Sequence, residues 1–486
     1  MTNRIVQGVG WTTAGSIVRN LVQLLQLAVL TRFLGKADFG IVAIANLFLG
    51  FTSLFLDMGI SVGIIHRQNI TNREYSSLFW LNVFLGVVLT LALFLLAPII
   101  TKGYHSQDLT KVVQLICFTI FLNALGTQQR TYCQKKTLFK RLALIEIFGT
   151  LITMAVAIIT AIRGYGVYSL AYSALSGAFA INVTHLIIGL LKDSRLHFHF
   201  SLSETIPFLK IGVYQVGSSI LDFFTRELDI FIVSSTLGLE FLGVYNIAKR
   251  IPVAIYSFIQ PIVTRVFAPL LAEKQSDADA LKSNYMRLSK ALSWFSFPMY
   301  LFLAAVSPTV IAIVFGVDYL EGVPVMMVFC LRYAFNGVNG VCGALQTATG
   351  RTDIGLIWTV FLICSTAIIY YISSLFGITV FLCGICLLIL ITVIMVWLIQ
   401  FRPMVNVSFR EYMSIFSRSF IICIVLSGGV YLLYSEPSLL YSVLVGIAYV
   451  TLFVFIIMKS KDRQDILEVM ELMSVPEKYL KIAQKI

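Results

Sequence analysis

Three apolar stretches of the chain carry charged and amide side chains at helical spacing. Arg19, Gln23 and Gln26 stand at i, i+4 and i+7; Asp222, Arg226 and Asp229 repeat that spacing, as do Arg332, Asn336 and Asn339, whose line continues through Gly343 to Gln346. At 100° per residue each triplet occupies about 60° of arc, a single polar stripe on a helix. A guanidinium offers a planar fork of donors that matches phosphate or carboxylate. Amides suit hydroxyl-rich solutes, and carboxylates beside cations can neutralise them or exchange protons. The chemistry predicted is therefore binding and passage of a polar, anionic solute. Asn246, Lys249 and Arg250 add to the candidate binding set, and Asp57, Asp222 and Asp229 are the candidates for ion coupling. A purely structural alternative pairs Asp222 with Arg226 and Arg226 with Asp229 along one helix. Arg32 and Arg265 lie nearer span ends and are expected to reach headgroups. Glu146 and Glu227 fall off the stripes and read equally well as structural.

The elements that hold these residues follow from composition. Of 486 residues 58% are hydrophobic and 12% charged, against roughly 25% charged in a soluble domain, and the mean hydropathy is +0.89. A water-soluble enzyme, a disulfide-rich secreted domain and a disordered scaffold are excluded, which leaves an all-α integral membrane protein. About 20 apolar residues cross a bilayer, and fourteen stretches qualify, among them 9–34, 39–65, 207–236, 241–270, 322–348 and 438–458. Their continuous rather than alternating apolarity excludes a transmembrane β-barrel. The first is read as a retained span, not a signal peptide. With both termini inside, loop cations crowd the inner side, and the outer loops hold only Lys36, Lys102, Lys111 and Arg163. That asymmetry places both ends in the cytoplasm. It also accounts for most of the net charge of +12, so no nucleic-acid partner is called for.

The chain repeats itself. At an offset of 203 residues the segment from Ser16 aligns without gaps to the segment from Ser219, with identities at Ser16/Ser219, Ile17/Ile220, Leu25/Leu228, Leu34/Leu237, Gly35/Gly238 and Gly40/Gly243. Each copy runs outward, turns at Leu-Gly and returns. An offset that preserves direction implies parallel repeats about an axis along the membrane normal. The expected organisation is an N-lobe at 1–196, a C-lobe at 201–402, each of six helices, two additional helices at 403–458 and a cytoplasmic tail at 459–486. The polar stripes would face a hydrated vestibule between the lobes.

Other signatures are weak. No Gly-Lys-Ser/Thr follows a glycine-rich loop, so no phosphate-binding loop of a nucleotide hydrolase is present. The eight cysteines read as small buried apolar side chains, and Cys383 and Cys386 lack the second ligand pair of a metal site. His197 and His199 read as part of an interfacial loop. The tail, with its alternating charges, reads as an amphipathic surface helix. No cofactor, metal or enzymatic activity is expected.

The segments "TRFLGKADFGIVAIANLF", "FLDMGISVGIIHRQNITNREYSSLFWLNV", "LDIFIVSSTLGLEFLGVYNIAKR", "PIVTRVFAPLLAE" and "GRTDIGL" resemble polysaccharide exporters of the Wzx class. The likeness is to the WzxC-like (colanic acid exporter) subgroup of the multidrug/oligosaccharidyl-lipid/polysaccharide (MOP) superfamily, and it runs from the first span to the twelfth. It implies a V of two six-helix bundles, as in the MATE-type drug/cation antiporters. It also implies flipping of an undecaprenyl-pyrophosphate-linked oligosaccharide across a bacterial inner membrane, for capsule, exopolysaccharide or lipopolysaccharide biosynthesis. The partners so implied are the lipid-linked oligosaccharide, membrane lipids, and the polymerase and glycosyltransferases of the same pathway. Cationic cavity residues of such exporters match Arg19, Arg226, Lys249, Arg250 and Arg332 in kind only. A MATE-like antiporter is the rival reading, and a membrane-embedded glycosyltransferase or polymerase a second. The first calls for a site dominated by acids, the second for a large loop or catalytic domain.

Overall fold

The structure is a computed structural model that describes residues 2–67, 69–104, 106–193, 196–432 and 439–460. Among the described residues there is no strand. The helices are α1 (Thr2–Leu30), α2 (Lys36–Asp57), α3 (Ile60–His66), α4 (Asn72–Thr101), α5 (Gln107–Ile116), α6 (Phe118–Lys135), α7 (Phe139–Ile162), α8 (Tyr168–Ile188) and α9 (Leu202–Thr236). They continue as α10 (Gly238–Ala272), α11 (Ala278–Ala305), α12 (Ser307–Val314), α13 (Val323–Thr349), α14 (Thr352–Ser374), α15 (Ile378–Val396), α16 (Arg402–Val405), α17 (Phe409–Leu432) and α18 (Leu439–Lys459). Among the described residues, eleven helical segments are long and apolar enough to cross a membrane, and a twelfth is added if α11 and α12, bent by 64° at their junction, form one span. The protein is a multi-pass helical membrane protein. The side chain of Arg265 and the tail beyond Ser460 lie outside the described residues, and with them the headgroup contact and the surface helix expected there.

Local chemistry sets the helix ends. Thr71 and Glu74 form a reciprocal capping box at the start of α4, the Thr71 hydroxyl accepting from the Glu74 amide at 3.2 Å and the Glu74 carboxylate from the Thr71 amide at 2.9 Å. Asp277 caps α11 by accepting from two amides at 3.0 Å. Each such cap is worth about 1 kcal/mol. The Leu-Gly turn between α9 and α10 uses Gly238 at φ +84°, a conformation that costs other residues a Cβ clash.

The chain divides into two compact units, Met1–Gly243 and Val244–Ile486. In the first, α7 packs on α1 and α8, α6 on α4 and α8, and α9 on α2 and α3. The break between α2 and α3 runs through Met58 and Gly59, both at positive φ. A Cβ on Gly212 of α9 would lie 1.6 Å from the Met58 carbonyl oxygen, so α9 crosses there backbone to backbone. In the second unit α11 packs on α13 and α17, and α15 on α13 and α14.

The cysteine expectation needs correction. Cys117, Cys133, Cys330, Cys342 and Cys423 are buried, but Cys364 and Cys383 are exposed and Cys386 is half-buried. Hydrocarbon solvates a thiol about as well as a core does, so apolar surroundings along a span need not mean protein contact. His197 and His199 do sit in a loop. The His197 amide donates to the Ser76 hydroxyl at 2.9 Å, and His199 meets Glu204 at 3.2 Å. No cluster of metal-ligating side chains occurs among the described residues.

Candidate functional site

Arg19 enters from α1, and its partner is Glu146 of α7, 127 residues away, to which it donates. A second guanidinium, Arg130 of α6, reaches the other oxygen of Glu146 at 2.7 Å. Arg19 also donates to the Ser16 hydroxyl one turn back at 3.2 Å. The Glu146 side chain is 15% exposed and that of Arg19 30%, so the triad is sheltered without being sealed. It lines a cavity of about 390 Å³ together with Thr12, Gln134 and Phe139. Two guanidiniums on one carboxylate leave a surplus positive charge beside open space, an arrangement suited to an incoming anion.

The remaining candidates of the first unit are dispersed. Gln23 is exposed and Gln26 half-buried, and neither lines this cavity. Asp57 sits at the end of α2, where its Oδ1 accepts from the Ser61 hydroxyl at 2.6 Å and amide at 3.2 Å, and Ser61 in turn meets Thr131 at 2.9 Å. The Asp57 carboxylate thus stabilises the start of α3. On α9, Asp222 and Arg226 are exposed and, among the described residues, form no ion pair with each other. Arg226 makes none with Asp229 either, so the intrahelical pairing alternative is not what the structure forms. Asp229 is buried, 7% exposed, with its Oδ1 accepting from the Ile230 amide at 2.9 Å. Beside these residues Phe51 of α2 packs on Phe223 and Phe224 with ring centroids 5.7 and 6.3 Å apart.

The second unit gathers its cations on aromatic rings. Arg332 of α13 donates to the Tyr370 hydroxyl of α14 at 2.6 Å, with its guanidinium 6.0 Å from that ring's centroid. Lys249 of α10 lies 5.3 Å from the centroid of Tyr245. Tyr245 and Tyr370 are both fully buried and both pack on Phe381, at 5.9 and 5.2 Å. One aromatic cluster therefore carries both cations, by a contact that strengthens where water is excluded. Asn339 accepts from the Tyr412 hydroxyl at 3.3 Å, Asn336 and Asn246 are half-buried, and Arg250 is exposed.

Glu146, Arg130, Tyr245 and Tyr370 were not singled out as site residues by the sequence. Arg130 and Gln134 stand one helical turn apart, the signal that could have placed them on one helical face.

Fold and site together define a multi-pass helical membrane protein that holds ionisable groups inside apolar helices. The chain belongs to the family described as polysaccharide biosynthesis protein, whose profile matches residues 29–324. It is 27% identical to lipopolysaccharide biosynthesis protein WzxC of Escherichia coli K12, over 85% of this chain and 84% of that one. It is also 27% identical to teichuronic acid biosynthesis protein TuaB of Bacillus subtilis 168, over 74% of each. Among solved structures it resembles the lipid II flippase MurJ in an inward closed conformation, with a TM-score of 0.72 and 16% identity over 92% of this chain and 98% of that one. It also resembles an inward-facing MATE multidrug transporter of the MOP superfamily, with a TM-score of 0.58 and 14% identity over 86% and 96%.

Proposed function

We propose that this protein flips a polyprenyl-pyrophosphate-linked oligosaccharide from the cytoplasmic to the outer leaflet of a bacterial inner membrane. The observation that carries the reading is the Arg19–Glu146–Arg130 triad beside a cavity, in a chain of the polysaccharide biosynthesis family. A charged group at mid-bilayer costs about 2.5–3.5 kcal/mol on insertion scales, so it is retained where it has work to do. In this mechanism Glu146 is the internal counter-ion of the empty site. An arriving pyrophosphate takes its place on Arg19 and Arg130, and Gln23, Gln26 and the asparagines Asn246, Asn336 and Asn339 meet sugar hydroxyls.

The wider scheme belongs to the same proposal. It has fourteen spans, with α9 and α18 crossing as well. The lobes at 1–196 and 201–402 alternate access around a midplane site. Helices at 403–458 follow, and both termini are cytoplasmic. Arg226, Lys249, Arg250 and Arg332 complete the cationic lining, and Asp222, Asp229 and Asp57 are the groups through which an ion gradient would act. The capping role of Asp57 makes Asp222 and Asp229 the stronger coupling candidates. The tail of the cargo stays in hydrocarbon. A drug/cation antiporter on this fold would call for a site dominated by acids, and although Asp222 is an exposed carboxylate, the cavity at Glu146 holds two arginines to one acid.

The test is flipping of a fluorescent polyprenyl-pyrophosphoryl oligosaccharide in proteoliposomes that hold the purified full chain. Transport is expected with the wild type and its loss with Arg19→Ala. Transport of organic cations but not of the lipid-linked sugar would overturn the reading. Flipping that persists unchanged without proton and sodium gradients would remove the coupling role of the aspartates.

A further inference from the structure

The first unit carries a second, larger cavity of about 960 Å³, distinct from the one around Arg19. It is a groove between α7 and α8 with Leu122 of α6 contributing. Phe148, Ile152, Val156 and Thr160 line it at four-residue intervals from α7, and Phe179 and Ile187 are among those that face it from α8. Phe148, Phe179 and Ile187 are exposed at 53%, 58% and 49%, so the groove lies open along the surface of two spans. Two of its hydroxyls are spent within their own helices, Thr160 donating to the Val156 carbonyl at 2.6 Å and Ser176 to that of Ser173 at 2.9 Å, and Thr184 with Tyr165 and Tyr172 adds to the polar lining. Leu122, Phe148, Ile152, Val156, Phe179 and Val183 make the rest of the lining apolar, a surface suited to hydrocarbon.

The two ends differ. At one, the turn after α7 passes through Gly164 and Gly166 at positive φ and sets Arg163 and Tyr165 at the groove mouth. Tyr165 stands edge-on to Tyr172, ring centroids 5.9 Å apart and planes at 88°. Arg163 is exposed and forms no ion pair among the described residues. At the other end the lining holds no cation. From Phe148 to Arg163 the groove rises about 22 Å at 1.5 Å per residue, more than the about 15 Å of half a hydrocarbon core.

An occupant that matches is a single chain longer than one leaflet, with one anionic head. Phospholipids entering from both leaflets would place a second phosphate where no cation lines the groove. We infer that this groove seats a polyisoprenyl phosphate, with its phosphate on Arg163 and its chain along α7 and α8. The proposed function identifies such a lipid as the cargo's carrier, and the inference rests on that reading for this identity alone. The groove is then a separate seat, at the flank of the first unit, for the carrier without its oligosaccharide, distinct from the cavity where the loaded carrier's pyrophosphate meets Arg19 and Arg130.

The experiment is native mass spectrometry of the full chain released from nanodiscs doped with either undecaprenyl phosphate or phosphatidylglycerol, with a photoactivatable isoprenoid phosphate to map the contact. Selective retention of undecaprenyl phosphate is expected, with cross-links to α7 and α8. Retention should fall about fivefold in Arg163→Ala, recover in Arg163→Lys, and be lost in Val156→Trp, which fills the groove. Equal retention of both lipids, retention unaffected by Arg163→Ala, or cross-links between two copies through α7 and α8 would each overturn the inference. Because flipping is read separately, a protein that exports but does not retain the lipid removes the groove and leaves the function standing.

Discussion

Gly40 and Gly243, equivalent positions of the internal repeat, touch each other. A Cβ on Gly40 would lie 2.0 Å from the Leu239 carbonyl oxygen, and a Cβ on Gly243 would lie 1.9 Å from that of Lys36. Lys36 and Leu239 are themselves related by the offset of 203 residues. The contact is thus reciprocal, each glycine lying against the carbonyl that precedes the other by four residues. Here α2 and the first turns of α10 cross with no side chain between them, the close approach that small residues allow in membranes.

Substituting either glycine should therefore be costly. Gly40→Ala and Gly243→Ala are each expected to destabilise the protein by about 1–3 kcal/mol, as overpacking does, read as a lower midpoint in detergent thermal melts. The control is Gly343→Ala in α13, where a Cβ meets nothing within 4 Å and helix propensity favours alanine. If all three variants melted alike, the crossing would not be the tight contact described.

The triad invites a double-mutant cycle. Glu146→Gln leaves Arg19 and Arg130 facing each other and should cost roughly 1–3 kcal/mol, below the about 3–5 of a fully buried pair because the site is partly open. Arg19→Gln in the Glu146→Gln background should recover part of that stability and none of the export. Strict additivity of the two stability effects would show that the residues do not act together.

In the second unit, Tyr370→Phe removes the acceptor that Arg332 uses while keeping the ring. About 1–2 kcal/mol of stability should go with the lost charge-assisted bond, and export should fall less than in Arg332→Ala. The comparison is made at matched protein levels in a deletion strain. Equal export by Arg332→Ala and wild type would discharge this arginine from the site.

The loop before α9 should respond to acid. Glu204, ahead of the apolar part of that helix, accepts from the Ser77 hydroxyl at 2.6 Å and meets His199 at 3.2 Å. The Ser77 hydrogen bond first, and His199 after it, hold its carboxyl below the usual glutamate value. A depressed carboxyl contributes stability at neutral pH that is lost as pH falls from about 4.3 through the lowered value. Hydrogen exchange of the loop amides should show opening in that window, over and above the intrinsic dependence on pH, and Glu204→Gln should abolish the transition. An unchanged profile in that variant would assign the acid response elsewhere.

Much of the architecture was legible in the sequence because the membrane simplifies the rules. Backbone groups in hydrocarbon must bond internally, so long apolar runs can only be helices, and an ionisable residue within one stands out by its cost. The gapless repeat even paired Gly40 with Gly243 and located both Leu-Gly turns. The polar stripes on α1, α9 and α13 were likewise visible, since helical periodicity states which residues share a face.

What periodicity cannot state is which neighbour that face meets. Arg19 was grouped with Gln23 and Gln26 along its own helix, yet its counter-ion is Glu146, 127 residues onward, a residue that looked incidental because its own helix shows no stripe. Asp57 read as a coupling acid, and only the break at Met58 and Gly59 showed that its carboxylate also accepts from Ser61. Asp222 and Arg226 had the spacing of an ion pair and do not form one. The sequence by itself determined a helical membrane protein with an internal repeat and costly charges in its spans. Only the tertiary structure decided which of those charges are neutralised and which stand open, because pairing depends on distances across helices that one-dimensional spacing does not contain.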